Sequence, residues 1–288
     1  MEQVLRSAAE VLRSAGVEAA RVDAELLLAH LLGTTRGALQ AMALTGVHMP
    51  DPIRQPFADL VRRRQAREPL QHLTGRAPFR TLELAVGPGV FVPRPETEVV
   101  AQHAIDALRR VRGRRRDARR PAAVDLGTGS GAIALALAAE VPGAEIVGIE
   151  RSPAAYEWAV RNAESIALPN VRILLADLAD ALPELRGAVD VVVSNPPYVP
   201  EDMVPRDPEV RLHDPAVALY GGPDGLDPMR AVIATARRLL RSGGTLVVEH
   251  GEAQGQQVRS LLDAVDWRDA ATHPDLTGRD RLTTAERR

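Results

Sequence analysis

Ala123-Val124-Asp125-Leu126-Gly127-Thr128-Gly129-Ser130-Gly131 reads as a short apolar strand that breaks into a glycine loop, with a helix over residues 131–140 to follow. Three glycines at alternate positions let the backbone turn sharply and pass close beneath a ligand. The spacing is G-x-G-x-G. It differs from the G-x-G-x-x-G of dinucleotide enzymes, in which a pyrophosphate rests on the helix N-terminus.

Working outward from this loop, strands are expected over residues 145–150, 171–175, 189–194 and 245–249. Helices are expected after Ser152-Pro153 to about residue 167, and around residues 229–240. Strands alternating with helices predict an α/β fold, a mainly parallel sheet with helices on both faces. Ligands in such sheets sit outside the carboxyl ends of the strands.

The candidate site residues fall at those ends. Glu150 closes the second strand, where an acid accepts hydrogen bonds from ribose hydroxyls; NAD and S-adenosylmethionine (SAM) both need such an acid. Asp177 follows the third strand, where it could hold an adenine amino group; an N-cap or surface turn is the plain alternative for either acid. After the apolar run Val189–Ser194 come Asn195, Pro196, Pro197 and Tyr198. The residue before a proline is pushed out of the α region, and two prolines stiffen the chain and remove two donors. The strand end therefore presents acceptors, the Asn195 side-chain oxygen and the Pro196 carbonyl, with Tyr198 beside them. That set suits an –NH2 group, although Asn-Pro-Pro also reads as a turn or a polyproline stretch.

The N-terminal part is different in kind. Val4, Leu5, Ala8, Val11 and Leu12 mark one helix face, and Val22, Leu26, Leu27 and Leu31 mark a second. Asp51-Pro52 looks like an N-cap and first helical position, with Ile53, Phe57, Leu60 and Val61 turned inward and Arg62, Arg63 and Arg64 on a solvated face. Residues 1–69 are thus expected to form a small helical bundle that docks a substrate. Residues 70–91, with Gly75, Gly87 and Gly89 around alternating Leu82, Leu84 and Val86, are expected to form a β-hairpin connector. Residues 92–288 hold the α/β domain. Arg109, Arg110, Arg112, Arg114, Arg115, Arg116, Arg119 and Arg120 read as a solvated loop after a helix through Leu108, or else as a weak electrostatic contact with nucleic acid.

Composition narrows the chemistry. The chain has no Cys and no Lys, which excludes thiolate nucleophiles, a Walker A loop and a lysine Schiff base. The net charge of −2 argues against a whole-surface polyanion binder. Nothing resembles a leader or a membrane span, so a cytoplasmic location is expected. The His residues lack ligand spacing, so no metal is expected. His250, beside Glu249 at a strand end, is the one His considered as a proton acceptor.

Glycine loop, two acids and Asn-Pro-Pro-Tyr at successive strand ends resemble the class I SAM-dependent methyltransferases that act on amino groups. Four further motifs resemble one family of these: Glu68-Pro69-Leu70-Gln71-His72-Leu73-Thr74-Gly75, Phe91-Val92-Pro93-Arg94-Pro95-Glu96-Thr97-Glu98, Gly221-Gly222-Pro223-Asp224-Gly225-Leu226 and Asp275-Leu276-Thr277-Gly278-Arg279-Asp280-Arg281. They are similar to the peptide chain release factor N5-glutamine methyltransferases (the HemK/PrmC family), and the likeness covers essentially the whole chain. The resemblance implies a Rossmann-like sheet and SAM as methyl donor. It implies a release factor as protein substrate, methylated at the glutamine of its Gly-Gly-Gln tip. It further implies that Gly127, Thr128, Gly129, Ser130, Gly131, Glu150, Asp177, Leu178 and Asn195 contact SAM. Asn195, Pro196, Pro197 and Tyr198 would hold the glutamine amide, with Asn195, Pro196 and Tyr198 as the catalytic set. Two positions depart from the family's habit. Leu178 stands where an aromatic often lies against the adenine, and Glu150 where Asp is frequent. A monomer is expected. The alternatives are a nucleic-acid amino methyltransferase, acting on adenine N6 or guanine N2, and a non-catalytic SAM-binding adaptor.

Overall fold

A computed structural model describes residues 1–114, 119–179 and 182–288, which divide into two compact units. Residues 1–76 form the first unit together with residues 205–213. Its helices are α1 (Glu2–Ser14), α2 (Ala20–Leu31), α3 (Arg36–Leu44), α4 (Asp51–Gln65) and α5 (Leu70–Thr74). The expected apolar faces meet, with Leu5, Leu12, Leu27, Leu28, Phe57 and Leu60 in one core, but Val11, expected on the α1 face, is exposed.

Charge is also buried in this unit, which the patterning did not anticipate. Arg64 is buried and donates from Nε to Asp23 at 2.8 Å and from Nη1 to Glu209 at 2.6 Å, so the solvated-face reading of Arg62–64 fails at Arg64. Arg67 donates to both oxygens of Glu209, at 2.8 and 2.6 Å. Glu25 is likewise buried and takes Arg21, Arg36 and Gln40. Each buried carboxylate is therefore paired, the condition under which burial of charge is tolerated.

The second unit holds residues 77–204 and 214–288. The hairpin of the connector is β1 (Arg76–Phe79) and β2 (Leu82–Ala85); residues 70–74, expected within it, are the helix α5, closed by Gly75 in the left-handed conformation. Then follow α6 (Thr97–Arg114), β3 (Ala122–Leu126), α7 (Ala132–Glu140), β4 (Glu145–Glu150), α8 (Pro153–Ile166), β5 (Val171–Leu175) and β6 (Val189–Ser194). The segment returning through the first unit carries α9 (Pro208–His213). Beyond it lie α10 (Ala216–Leu219), α11 (Asp227–Leu239), β7 (Leu240–Glu249), α12 (Gly255–Leu261), β8 (Trp267–Pro274) and β9 (Asp280–Arg287).

The strand order is β5-β4-β3-β6-β7-β9-β8, with β3 to β7 parallel and β9 antiparallel to both β7 and β8. The chain runs outward from β3 to β5 and then returns beside β3 as β6. The switch point between β3 and β6 is where α/β sheets open a crevice for ligands. Two apolar layers cover the sheet, one built around α6 and α7 and the other around α11 and Trp267. Asp190 is the one acid inside the β6 run; it is paired with Arg241 at 2.5 Å and accepts the Ala122 N–H.

The arginine run is not simply a loop. The α6 helix continues past Leu108 through Arg114, and Arg109 lies 3.9 Å from Asp106 and 3.6 Å from Glu140. Arginine is a good helix former, and cations at a helix C-terminus meet its negative end. Arg115 and Arg116 lie outside the described residues.

Candidate active site

The glycine loop and Glu150 form one construction at the ends of β3 and β4. Gly127, Gly129 and Gly131 have φ of 74°, 57° and 85°, values that side chains disfavour, and a Cβ at Gly127 or Gly129 would meet nothing within 4 Å. The loop's surface is thus bare backbone facing open space. Gly127 and Thr128 donate their N–H groups to the Ile149 carbonyl, each at 2.9 Å. Glu150, itself buried, accepts the Gly129 N–H at 2.9 Å on Oε2 and the Ser152 N–H at 2.8 Å on Oε1. Each carboxylate oxygen retains further acceptor capacity.

Beneath the loop, Asp125 accepts from the Thr128 hydroxyl at 2.6 Å and the Ala134 N–H at 3.1 Å. Burial pushes its carboxyl up to about 7, with the nearby Glu150 charge adding to the rise and the two donors opposing it. Asn162 of α8, which the motif reading overlooked, donates to the carbonyls of Ser130 at 2.9 Å and Ala85 at 3.0 Å and so ties the loop to the hairpin. Its only signal in the sequence is a polar residue on an apolar helix face.

Asp177 and Leu178 sit beyond β5 without joining this construction. Asp177 is exposed and caps the Ala179 N–H at 2.9 Å, the surface-turn arrangement. Leu178 is half-buried against the apolar layer around Trp267, and its carbonyl accepts from Thr235.

Asn195, Pro196, Pro197 and Tyr198 leave the end of β6 as an extended segment whose shape is held by the later glycine motif. Val199 donates to the Leu219 carbonyl and accepts from Gly221, each at 2.9 Å. A Cβ at Gly221 would lie 2.7 Å from the Pro197 carbonyl oxygen, and one at Gly225 would lie 2.4 Å from that of Tyr198. Only glycine permits backbone to pass this close. Gln254 donates to the Tyr198 carbonyl at 3.0 Å.

Asn195 donates its side-chain N–H to the Thr97 hydroxyl at 3.2 Å, and the Tyr198 hydroxyl lies 3.5 Å from Glu249 Oε1. Glu249 is buried at the end of β7, and burial raises its carboxyl to about 7; Thr97, Arg281 and Tyr198 favour the charged form, while Glu96 opposes it. Burial likewise raises the Tyr198 phenol, so it stays protonated. Arg281 is held by Asp275 at 3.3 Å, which brings the last of the quoted motifs to this cluster.

His250 is not the proton acceptor considered from the sequence. Its Nδ1 lies 2.9 Å from the Gly251 carbonyl, to which it donates, and its Nε2 lies 2.9 Å from the Thr283 hydroxyl. Burial lowers its basicity, so it is a neutral, fully engaged ring. The neighbouring Glu249 faces the site in its place. Among the described residues no group of three His, Asp or Glu side chains is arranged to hold a metal ion, and no helix is long and apolar enough to cross a membrane.

Comparison with known proteins adds four findings. Residues 3–75 match the family profile described as the PrmC N-terminal domain, and residues 120–277 match that of a methyltransferase domain. A release factor glutamine methyltransferase of Streptomyces coelicolor is 50% identical to this chain, with 97% of this chain and 95% of the relative covered. A 4-amino-L-phenylalanine/4-methylamino-L-phenylalanine methyltransferase of Streptomyces pristinaespiralis is 42% identical over 100% of this chain and 95% of that relative. In fold, the chain is similar to a T. thermophilus 16S rRNA N2 methyltransferase solved with AdoMet and guanosine. There the TM-score is 0.50 at 24% identity, over 74% of this chain and 50% of that one.

Proposed function

The chain belongs to the release factor glutamine methyltransferases, and from that membership we propose that it methylates the side-chain amide nitrogen of the Gly-Gly-Gln glutamine in peptide chain release factors, with SAM as donor. The observation that carries the reading is the pairing of a bare glycine loop braced by Glu150 with an –NH2 grip at the end of β6. The two stand at neighbouring strands of the switch point.

The residues fit SAM. Gly127 and Gly129 offer exposed backbone, and Glu150 offers oriented acceptors for ribose hydroxyls. Ser130 and Gly131 complete the loop; Asp177 and Leu178 would flank the adenine. When bound, SAM supplies an electrophilic methyl group. The chain's own task is to position the acceptor amide, whose nitrogen is a poor nucleophile because its lone pair is delocalised into the carbonyl. Asn195 has committed its N–H to Thr97, which leaves its oxygen to accept a substrate N–H; the Pro196 carbonyl takes the other. Tyr198 and Pro197 pack against the amide plane. Two acceptors fix the nitrogen's orientation, so catalysis rests on near-attack positioning and electrostatics. The N-terminal helices dock the release factor. The enzyme acts as a cytoplasmic monomer, and the Arg109–Arg120 run offers at most a weak nucleic-acid contact.

One observation favours a second reading: the relative named for 4-amino-L-phenylalanine covers the chain as fully as those named for release factors. An arylamine is also a planar –NH2, so the grip alone does not separate the two. The test incubates the purified enzyme with labelled SAM and, separately, a release factor, its Gln→Ala loop variant, 4-amino-L-phenylalanine, duplex DNA and ribosomal RNA. Label on the release factor only, lost in the loop variant, is expected. Label on the free amino acid or on nucleic acid, with none on the release factor, would replace this reading.

A further inference from the structure

Gln254 carries a polar side chain where the fold leaves little water. It stands immediately before α12 and is only 8% exposed, a burial that an amide tolerates when its donor and acceptor are both engaged. Here each engages backbone. Oε1 accepts the Gly251 N–H at 2.9 Å, and Nε2 donates to the Tyr198 carbonyl at 3.0 Å. A backbone N–H only donates and a carbonyl only accepts, so the amide can face one way. An ionised Glu would keep the acceptor and lose the donor; Met would lose both.

The two groups that the amide joins belong to the frame around the Tyr198 ring. A Cβ at Gly251 would lie 3.7 Å from Tyr198 Cδ2, so the turn after β7 runs along the edge of the ring. That turn begins at Glu249, whose Oε1 lies 3.5 Å from the Tyr198 hydroxyl, and it closes where the Gln254 N–H donates to the Gly251 carbonyl at 2.9 Å. The glycine motif covers the joint from another side. A Cβ at Gly225 would lie 2.4 Å from the Tyr198 carbonyl oxygen and 2.9 Å from Gln254 Nε2. Gln254 is itself anchored, since its carbonyl accepts the Val258 N–H at 2.9 Å and a Cβ on the next residue, Gly255, would meet Thr272 at 2.9 Å.

We propose that Gln254 is the positioning residue that holds the Tyr198 ring where the acceptor amide packs, by tying the Tyr198 carbonyl to the turn that lines the ring. The inference rests on the –NH2 grip proposed above and deepens it. Asn195 and the Pro196 carbonyl orient the N–H groups of the acceptor, and Gln254 fixes the surface beneath its plane. Two prolines stiffen the chain before Tyr198, and Val199 after it is bonded to Leu219 and Gly221. The Tyr198 carbonyl between them has Gln254 as its donor. Without that donor a buried carbonyl is left unpaired, and the peptide group relieves the cost by turning, which carries the ring with it.

The experiment compares wild type with Gln254→Met and Gln254→Glu, each alone and combined with Tyr198→Ala. Methyl transfer to release factor from labelled SAM should fall roughly 10–100-fold in kcat for each single variant, the cost of a misplaced reactant, while KM and calorimetric Kd for SAM stay within a few-fold. In the Tyr198→Ala background the same substitutions should cost less than about threefold, because the ring that they misplace is gone. A purely structural role would instead multiply the two losses and weaken SAM binding as well. Independently of any substrate, the ring NMR signals of Tyr198, one of three tyrosines and assigned by their loss in Tyr198→Ala, should shift in both Gln254 variants while those of Tyr156 stay fixed. Wild-type kcat in either variant, multiplied losses in the double variants, or unmoved Tyr198 signals would overturn the inference. A wild type that leaves release factor unlabelled would defeat the functional reading, while the Tyr198 signals would still judge the frame. If Gln254→Met did not fold, Gln254→Glu, which keeps the side chain's shape and the Gly251 bond, carries the same test.

Discussion

Glu150 accepts the backbone N–H of Gly129 at 2.9 Å, so the acid at the end of β4 and the glycine loop at the end of β3 are a single rigid feature. If Glu150 has the role proposed for it, removing the acid affects the donor site twice, by deleting the proposed ribose acceptor and by loosening the loop. Glu150→Ala should weaken SAM binding by about 10–100-fold, since hydrogen bonds to a charged group are worth ~1.5–3 kcal/mol. Calorimetric titration with SAM and with NAD measures it. Tight NAD binding by the wild type would contradict the assignment of the loop.

Asn195→Ala should lower turnover by roughly 10²–10³, the scale for losing one oriented partner of the reacting group, while SAM affinity stays within a few-fold. Single-turnover methyl transfer separates the two. Near wild-type turnover would remove Asn195 from the catalytic set.

The Tyr198 ring and its hydroxyl should separate by mutation. The hydroxyl lies a long 3.5 Å from Glu249, so Tyr198→Phe should cost less than about tenfold in kcat. Tyr198→Ala removes the surface proposed to support the amide, and a misplaced reactant costs on the order of 10². Equal losses in the two variants would show that the hydroxyl, not the ring, carries the function.

Glu209 is the counter-charge of two arginines in the N-terminal unit, Arg64 and Arg67. Glu209→Ala leaves them short of a partner, and breaking such a buried pair costs about 3–5 kcal/mol. Hydrogen exchange over α4 and α9 should report the loss. Burial works to raise the Glu209 carboxyl, but Asp207, Arg67 and Arg64 outweigh it and hold it down to about 2. A lowered pKa contributes stability that is present above the unfolded value and is lost as pH falls through about 2. The N-terminal unit should thus weaken in acid, and Glu209→Gln should blunt that dependence.

Asp125 acts in the opposite sense. Its carboxyl is raised to about 7, so its contribution is fully present below the unfolded pKa and is lost as pH rises through about 7. Denaturant unfolding of Asp125→Asn without SAM should show a flatter stability profile between acid and neutral pH than wild type. An unchanged slope would mean that Asp125 is ionised in the folded protein.

Much of the site was legible because its signals are local. Strand period, glycine spacing and the Asn-Pro-Pro-Tyr break depend on neighbours a few positions away, and they placed Gly127, Gly129, Gly131, Glu150 and Asn195 at strand ends that the structure shows side by side. Asp177 was also legible as an acid, but the same pattern marks a surface turn, and the turn is what its side chain makes. The arginine run misled in one respect, since charge patterning reports solvation and not helicity, and α6 runs on to Arg114.

The amino-acid sequence by itself determined the alternation of strand and helix and the order in which chemistry-bearing residues reach the sheet's edge, because both follow from backbone geometry over short spans. Only the tertiary structure decided which charged and polar groups lose water. Arg64 resembles its neighbours Arg62 and Arg63, yet it is the one buried between Asp23 and Glu209. Glu249 and His250 are adjacent, yet the acid faces Tyr198 while the ring is consumed by Gly251 and Thr283. Thr97 meets Asn195 from 98 residues away in sequence. Such pairings depend on which strands become neighbours, and desolvation gives a residue its energetic weight only after that choice has been made.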